Sequence, residues 1–537
     1  MSQGRGTRVR SGQARRWLSL LAVAAAGCPK GAPMDTDGPE APTVIEHCGV
    51  ITDAETWEAG VGHLITCDVV VEGSLIVEPG VEVLAEQGTA LRVEGGQLSA
   101  VGTSDAPVLF ASAEAFPTAG DWVGVVGQGA VVNLAFATLR HAGSEGALLA
   151  LEGGQASLSN LILSNSTLRG LYASGTEFTV LEELEIAYVD EPLSIPWAAA
   201  ALLSGVYLDQ VDGAAVRLLG DTLDVPVGLG ALEVPYLSER LTVVEGGTLW
   251  IEEGAMLALA DDVVIEAGGA IVMRGTSTAT AAVFGWEGAS FEIWIDAEAA
   301  TADFRWASIA GGRVESAVPA LTFRYSDIEN APGTALNITG GLDTTVYSQL
   351  SGCSFAGEGY GLAVPLAMLP YVGENDYSGS SFDGVVVLDA TVTEELNLSV
   401  WPPSHVLIQG ELRFEGVPVT LTGPATLVFD DGGSLVMDGA AIRAGAMAFT
   451  HITETPGGWE GITVSASGGG SWFESCNIAF GGGWDGANVT LEAEGTIVDT
   501  TLQDSAGWGV LVQPGVEATL RGNRYLGNAR GDVGPGS

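Results

Sequence analysis

Between Asp68 and Phe110 the chain repeats one short device: a few apolar residues in extended alternation, a tight turn, then the next run. The runs are Leu75-Ile76-Val77, Val81-Glu82-Val83, Ala90 to Val93, Gln97 to Ala100 and Val108 to Phe110. Between them stand Glu78-Pro79-Gly80, Glu86-Gln87-Gly88, Glu94-Gly95-Gly96 and Gly102 to Pro107. Val81 and Val83 flank Glu82, and Leu91 and Val93 flank Arg92, so one side of each run belongs to a core and the other to water. Strands this short, set this regularly, read as coils of a β-solenoid rather than as a sandwich.

The pattern returns at long spacing. Gly102-Thr103 is echoed by Gly275-Thr276 and Gly439-Ala440, at offsets of 173 and 164 residues. Asp121-Trp122-Val123, Glu292-Ile293-Trp294 and Trp459-Glu460-Gly461 form an aromatic set after each echo. L-A-F-A-T-L (134–139) aligns with F-R-W-A-S-I (304–309) and F-E-S-C-N-I (473–478), at offsets of 170 and 169, and Asp212-Gly213 with Asp383-Gly384 at 171. These anchors predict three copies of one module, residues 44–200, 201–372 and 373–537. Gly, Asn, Asp and Ser supply the positive-φ positions between strands. Ala198 to Leu203 is alanine-rich and reads either as a short helix or as an inward strand.

V-E-G-S-L-I-V-E-P-G (71–80), V-G-T-S-D-A-P-V-L-F (101–110) and G-D-W-V-G-V (120–125) resemble the bacterial right-handed parallel β-helix repeat family. That family is similar in architecture to pectate lyases and is common among envelope lipoproteins. The resemblance covers most of residues 44–537 and implies an all-β, right-handed parallel β-helix with three short strands per coil. At roughly 20–25 residues per coil it implies about 20 coils, and a rod on the order of 100 Å. Val44 to Cys67, with Trp57, is expected to cap the first coil, and Trp508 to Tyr525 to close the last.

Ahead of this lies an address. Five arginines (Arg5, Arg8, Arg10, Arg15, Arg16) precede the apolar run Trp17 to Gly27, too short to span a bilayer. Ala25-Ala26-Gly27-Cys28 resembles a lipobox, so 1–27 reads as a lipoprotein signal peptide and Cys28 as the lipidated residue. Residues 28–43, rich in Pro, Gly and Asp, read as a flexible tether. The expected address is a bacterial cell envelope, at the outer membrane or cell surface, with the membrane as partner through the anchor.

The formal charge is −47, and loss of the first 27 residues leaves 15 basic against 67 acidic residues. Such a surface repels phosphate backbones and anionic headgroups, which disfavours nucleic acid as a partner. Cys48 and Cys67, 19 positions apart, are candidates for a disulfide in an oxidising envelope. Cys353 and Cys476 read as small buried thiols. No C-x-x-C, H-E-x-x-H, G-x-S-x-G or calcium-loop signature is present, so no metal or cofactor is assigned, calcium between acidic turns being the one option left open.

The lyase resemblance implies specific tests of chemistry. Trp294-Ile295-Asp296-Ala297 imitates the W-I-D-H strand of those enzymes with Ala in place of His. Asp261-Asp262 and Asp430-Asp431 imitate paired catalytic acids, but their companion signatures are missing. Arg530-Gly531-Asp532 spells an adhesion tripeptide and reads as coincidence. The expected function is therefore a non-enzymatic, lipid-anchored surface protein with a structural, adhesive or glycan-contact role, in which Trp401, Trp459 and Trp484 stack on sugars. The alternative is a polysaccharide lyase or glycoside hydrolase with its site on one face of the β-helix.

Overall fold

The computed structural model describes residues 44–211, 215–319, 321–340, 349–388, 390–399, 401, 405–483 and 486–535. Cys28, the signal and tether segments, Asp212-Gly213 and Trp484 lie outside the described residues. Val44–Ser537 forms one compact unit. It is a right-handed parallel β-solenoid of about 20 turns, and every strand pair in it is parallel.

One coil advances the chain by little more than twenty residues. Ala54 lies opposite Ser74 and Thr248 opposite Ala270, and Val406 lies opposite Leu427. Because parallel rungs keep the same face inward, apolar residues at matching positions stack into columns. One column runs Val69, Leu91, Val125, Leu149, Leu171, Leu193. It continues through Val216, Tyr236, Leu257 and Val283 to Ile309 and Ile328. All twelve are at most 1% exposed, so the core is a continuous apolar thread rather than a set of separate lobes.

The segment 44–67 is not a cap laid over the first coil; it is the first coil. Val44–Ile51 pairs in parallel with Gly62–Val71, and Ala54–Trp57 with Ser74–Val77. Trp57 stands opposite Val77 on another face and is 1% exposed, whereas Val44, Ile45 and Val50 of the outermost rung stay at the surface. At the other end Gly531–Pro535 adds a rung to Trp508–Val512, so the ladder continues past Tyr525. The alanine-rich stretch divides: Trp197–Ala200 is a single helical turn, and Leu203–Val211 is a strand.

The sheets change partway. One, which contains the Val69-to-Ile328 column, runs from the first strand to Asp376–Gly379. A second runs from Thr222–Leu223 to Arg524–Leu526. The third face is built from separate ladders on either side of residues 350–390. Near residues 211–222 and again near 351–396, two of the three faces thus restart while one carries through.

Corners between faces are held by left-handed residues, many of them not glycine. Phe136, Asn160 and Glu183 stack in successive coils with φ of 47°, 52° and 52°, followed by Gly205 at 63°. Trp306, Tyr325 and Gly352 form an equivalent column, as do Ala446, Ser475, Asp499 and Gly522. Phe136, Trp306 and Ser475 each precede a buried small residue, Ala137, Ala307 or Cys476. The three aligned hexapeptides therefore turn the same corner. Gly102 and Gly275 also match: a Cβ on either would meet the carbonyl oxygen of Phe136 or Trp306 at 2.6 or 2.4 Å. Gly439 has no such neighbour within reach and a φ of 67°, so the third glycine anchor is not equivalent to the other two.

Candidate functional site

Outward residues of the first sheet form a shallow groove of about 340 Å³. Its floor follows from register: Arg92 lies opposite Val126, Val126 opposite Ala150, and Ala150 opposite Tyr172. Small side chains at the centre leave a depression between longer ones at the rims. At one rim Arg92 donates to Asp68 at 3.1 Å and to Glu145 at 2.9 Å. At the other, Arg169 donates to Glu191 at 2.8 Å and lies 5.5 Å from the centre of the Tyr172 ring. Gln128 and Glu152 add polar groups to the lining.

Both guanidiniums are already partnered by carboxylates. The hydrogen bond that Arg92 donates to Glu145 raises the Arg92 pKa against the opposing effect of burial. Two rungs beyond Tyr172, Arg217 continues the column through Ser194 and donates to Glu239 at 2.8 Å. The groove thus offers donors and acceptors alternating around a small apolar floor and one aromatic face. Such a lining matches hydroxyl-rich, uncharged rings, which need both kinds of partner and a flat surface to lie on.

A larger hollow, about 550 Å³, opens beside the first coil and is lined by Leu64, Leu84, Glu86 and Glu114 with His63. The His63 ring is already committed, to His47 at 2.9 Å and to the Glu58 carbonyl at 3.1 Å. Its remaining polar lining groups are Gln87 and carboxylates. Among the described residues, no group of three or more His, Cys, Asp or Glu is placed to hold a metal ion.

The residues singled out in the sequence are dispersed. Cys48 and Cys67 are joined in a disulfide between the first two rungs, their Cα atoms 4.9 Å apart. Cys353 and Cys476 are free and buried, and burial pushes the Cys353 thiol up to about 11, leaving it unreactive. Asp262 accepts the Glu292 N–H at 2.7 Å and Asp430 that of Gly410 at 2.9 Å. Asp431 faces His451 at 2.9 Å. Three of these four acids thus hold turns or neighbouring rungs, since Asp261 accepts the N–H of Asp262. Asp296 does the same for Glu298. Gly531 of the Arg-Gly-Asp string packs under the Trp508 ring, 3.2 Å from where its Cβ would stand.

The tryptophans depart from the sequence expectation. Trp459 is fully buried, and its indole N–H donates to the Ala479 carbonyl at 2.8 Å, so it cannot meet a sugar. Trp401 is partly buried and donates likewise to Thr422 at 2.8 Å. Trp122 makes the same tie to Arg140 at 3.0 Å. Trp294, aligned with Trp122 and Trp459 in sequence, instead points outward and is 38% exposed. Among the described residues Trp250 and Trp472 are the other exposed indoles, at 39% and 38%. Sequence reasoning missed Tyr172 and the arginine rims; the outward place of Arg92 between the inward Leu91 and Val93 was the available signal. No protein-family model, curated protein or solved structure matches this chain.

Proposed function

We propose that this is a non-enzymatic, lipid-anchored β-helix protein of the bacterial cell envelope that contacts glycans through the Arg92–Tyr172 groove. The groove carries the reading: its arginines are matched by carboxylates and its floor is apolar, as hydroxyl recognition requires. The basic and apolar amino terminus, followed by Cys28 and a Pro- and Gly-rich stretch, supports attachment by lipid at the outer membrane or cell surface. Labelled palmitate should enter the wild-type chain and not Cys28→Ser; label that persists in the variant removes the anchor.

Affinity electrophoresis in gels cast with neutral glycans, with chelator present, tests the groove. Retardation without new reducing or unsaturated ends is the expected result, and Tyr172→Ala should weaken it roughly fivefold, since one aromatic contact is worth about 1 kcal/mol. Release of new ends would instead make the protein a lyase or hydrolase. Retardation indifferent to Tyr172→Ala would move the contact elsewhere.

A further inference from the structure

A different face carries an arrangement that stability alone does not favour. Arg274 lies directly opposite Arg305, and Arg305 directly opposite Arg324, in three consecutive rungs. Parallel rungs stand about 4.8 Å apart, and like charges facing one another at that distance are destabilising. The chain has only fourteen arginines after residue 43, against 67 acidic residues overall. Spending three of them on one column therefore breaks the local charge rule, as binding sites commonly do.

The column is built, not draped. Met273, Phe304 and Phe323, the residues before each arginine, are fully buried, which fixes the arginines outward. Asp303, only 7% exposed, receives Arg274 at 3.0 Å and Arg305 at 2.7 Å, so one carboxylate holds two guanidiniums in place. Arg274 and Arg305 nevertheless keep about half of their side-chain surface in solvent, at 56% and 50%.

Aromatic faces flank the strip on both sides. Trp250, two residues before Glu252 on the preceding rung, lies 5.7 Å from the Arg274 guanidinium. One residue beyond the arginines, Trp306 and Tyr325 stack at 4.8 Å and 18°, with Tyr325 half exposed. Gly352 leaves room for that platform, since a Cβ there would stand 2.7 Å from the Tyr325 ring.

We infer that Arg274, Arg305 and Arg324, flanked by Trp250 and the Trp306–Tyr325 stack, bind an anionic glycan whose carboxylate or sulfate groups lie along the arginine column. Guanidinium forks match both anions in geometry, and the aromatic faces select a sugar backbone over a bare polyanion. The strip is separate from the Arg92–Tyr172 groove and does not depend on it. Binding must be short-range, because screening confines the pull of the arginine column to about the Debye length of 8 Å at physiological salt, while the chain as a whole is anionic.

The test uses the full chain carrying Cys28→Ser, with chelator present so that calcium cannot bridge acids. Heparin, polygalacturonate, dextran and inorganic polyphosphate are the probes, at 20 mM and 300 mM salt on the order set by the Debye length. Retention by heparin or polygalacturonate, weaker at the higher salt, is expected, and the preferred polymer identifies sulfate or carboxylate. Arg305→Gln should weaken it at least fivefold, Arg305→Lys less, and Tyr172→Ala not at all. Because Arg305→Gln also disturbs Asp303, Tyr325→Ala serves as an independent variant with an exposed side chain, and it should weaken binding while the far-ultraviolet spectrum stays unchanged. Binding to neither anionic glycan overturns the inference. So does polyphosphate binding as tight as heparin, or retention untouched by both Arg305→Gln and Tyr325→Ala.

Discussion

His47 shows how much a single side chain in the first coil depends on its protonation. Its ring lies 4.2 Å from that of Trp57, and its Nε2 is 2.9 Å from Nδ1 of His63. Burial and then the neighbouring His63 lower the His47 pKa, while Glu55 opposes them weakly. The folded value therefore lies below the ordinary imidazole value of about 6.5. The neutral ring's contribution is complete above that pH and is lost as the pH falls through the lowered folded value. Melting followed from pH 7.5 to 5 should show a falling midpoint, and His47→Gln should flatten the slope. Equal losses in both chains would place the acid sensitivity elsewhere. None of this was visible in sequence: sixteen positions separate the two histidines, and only the parallel register of adjacent rungs brings them together. The buried Trp459 is the converse case. A tryptophan beside glycines looks like a surface platform in sequence, whereas here the indole reaches one coil onward to a backbone carbonyl.

At the scale of strand and corner, the alternation of inward and outward residues was legible because a parallel ladder imposes period two on every rung. Corners were legible only in part. The hexapeptides ending at Leu139, Ile309 and Ile478 could be aligned through their small buried residues, Ala137, Ala307 and Cys476. The left-handed residue just before each could not, because Phe136 and Trp306 are poor candidates for positive φ by local preference. Stacking in the column overrides that preference: Trp306 lies on Tyr325, itself at φ 51°. Ser475, at φ 55° and exposed, isolates the backbone effect. Ser475→Val should lower stability by about 1–2 kcal/mol, and Ser475→Gly should hold or raise it. Denaturant midpoints measure both, and a valine variant as stable as wild type would remove the strain from this corner.

For the whole chain, acidity is the dominant long-range term. A formal charge of −47 makes the folded solenoid repel itself, while its ion pairs, such as Arg413 with Glu411 and Asp438, are local and partly exposed. Raising sodium chloride from 20 to 500 mM should therefore raise the melting temperature, since screening at these strengths shortens the reach of repulsion from about 20 Å to below 5 Å. A falling melting temperature would mean that ion pairs outweigh repulsion. Calorimetry at fixed pH decides between them. Charge and composition were plain in the sequence; which arginines would share a column was not, since that depends on coil lengths that vary from rung to rung.

The way the faces restart has a mechanical meaning. Near residue 215 the first sheet passes through unbroken, and near residue 375 the second sheet does. Each seam is thus bridged by one continuous ladder, like a splice staggered across three strands of a rope. A protease that nicks the chain at either seam should leave the pieces clasped by backbone hydrogen bonds, migrating together until a denaturant parts them.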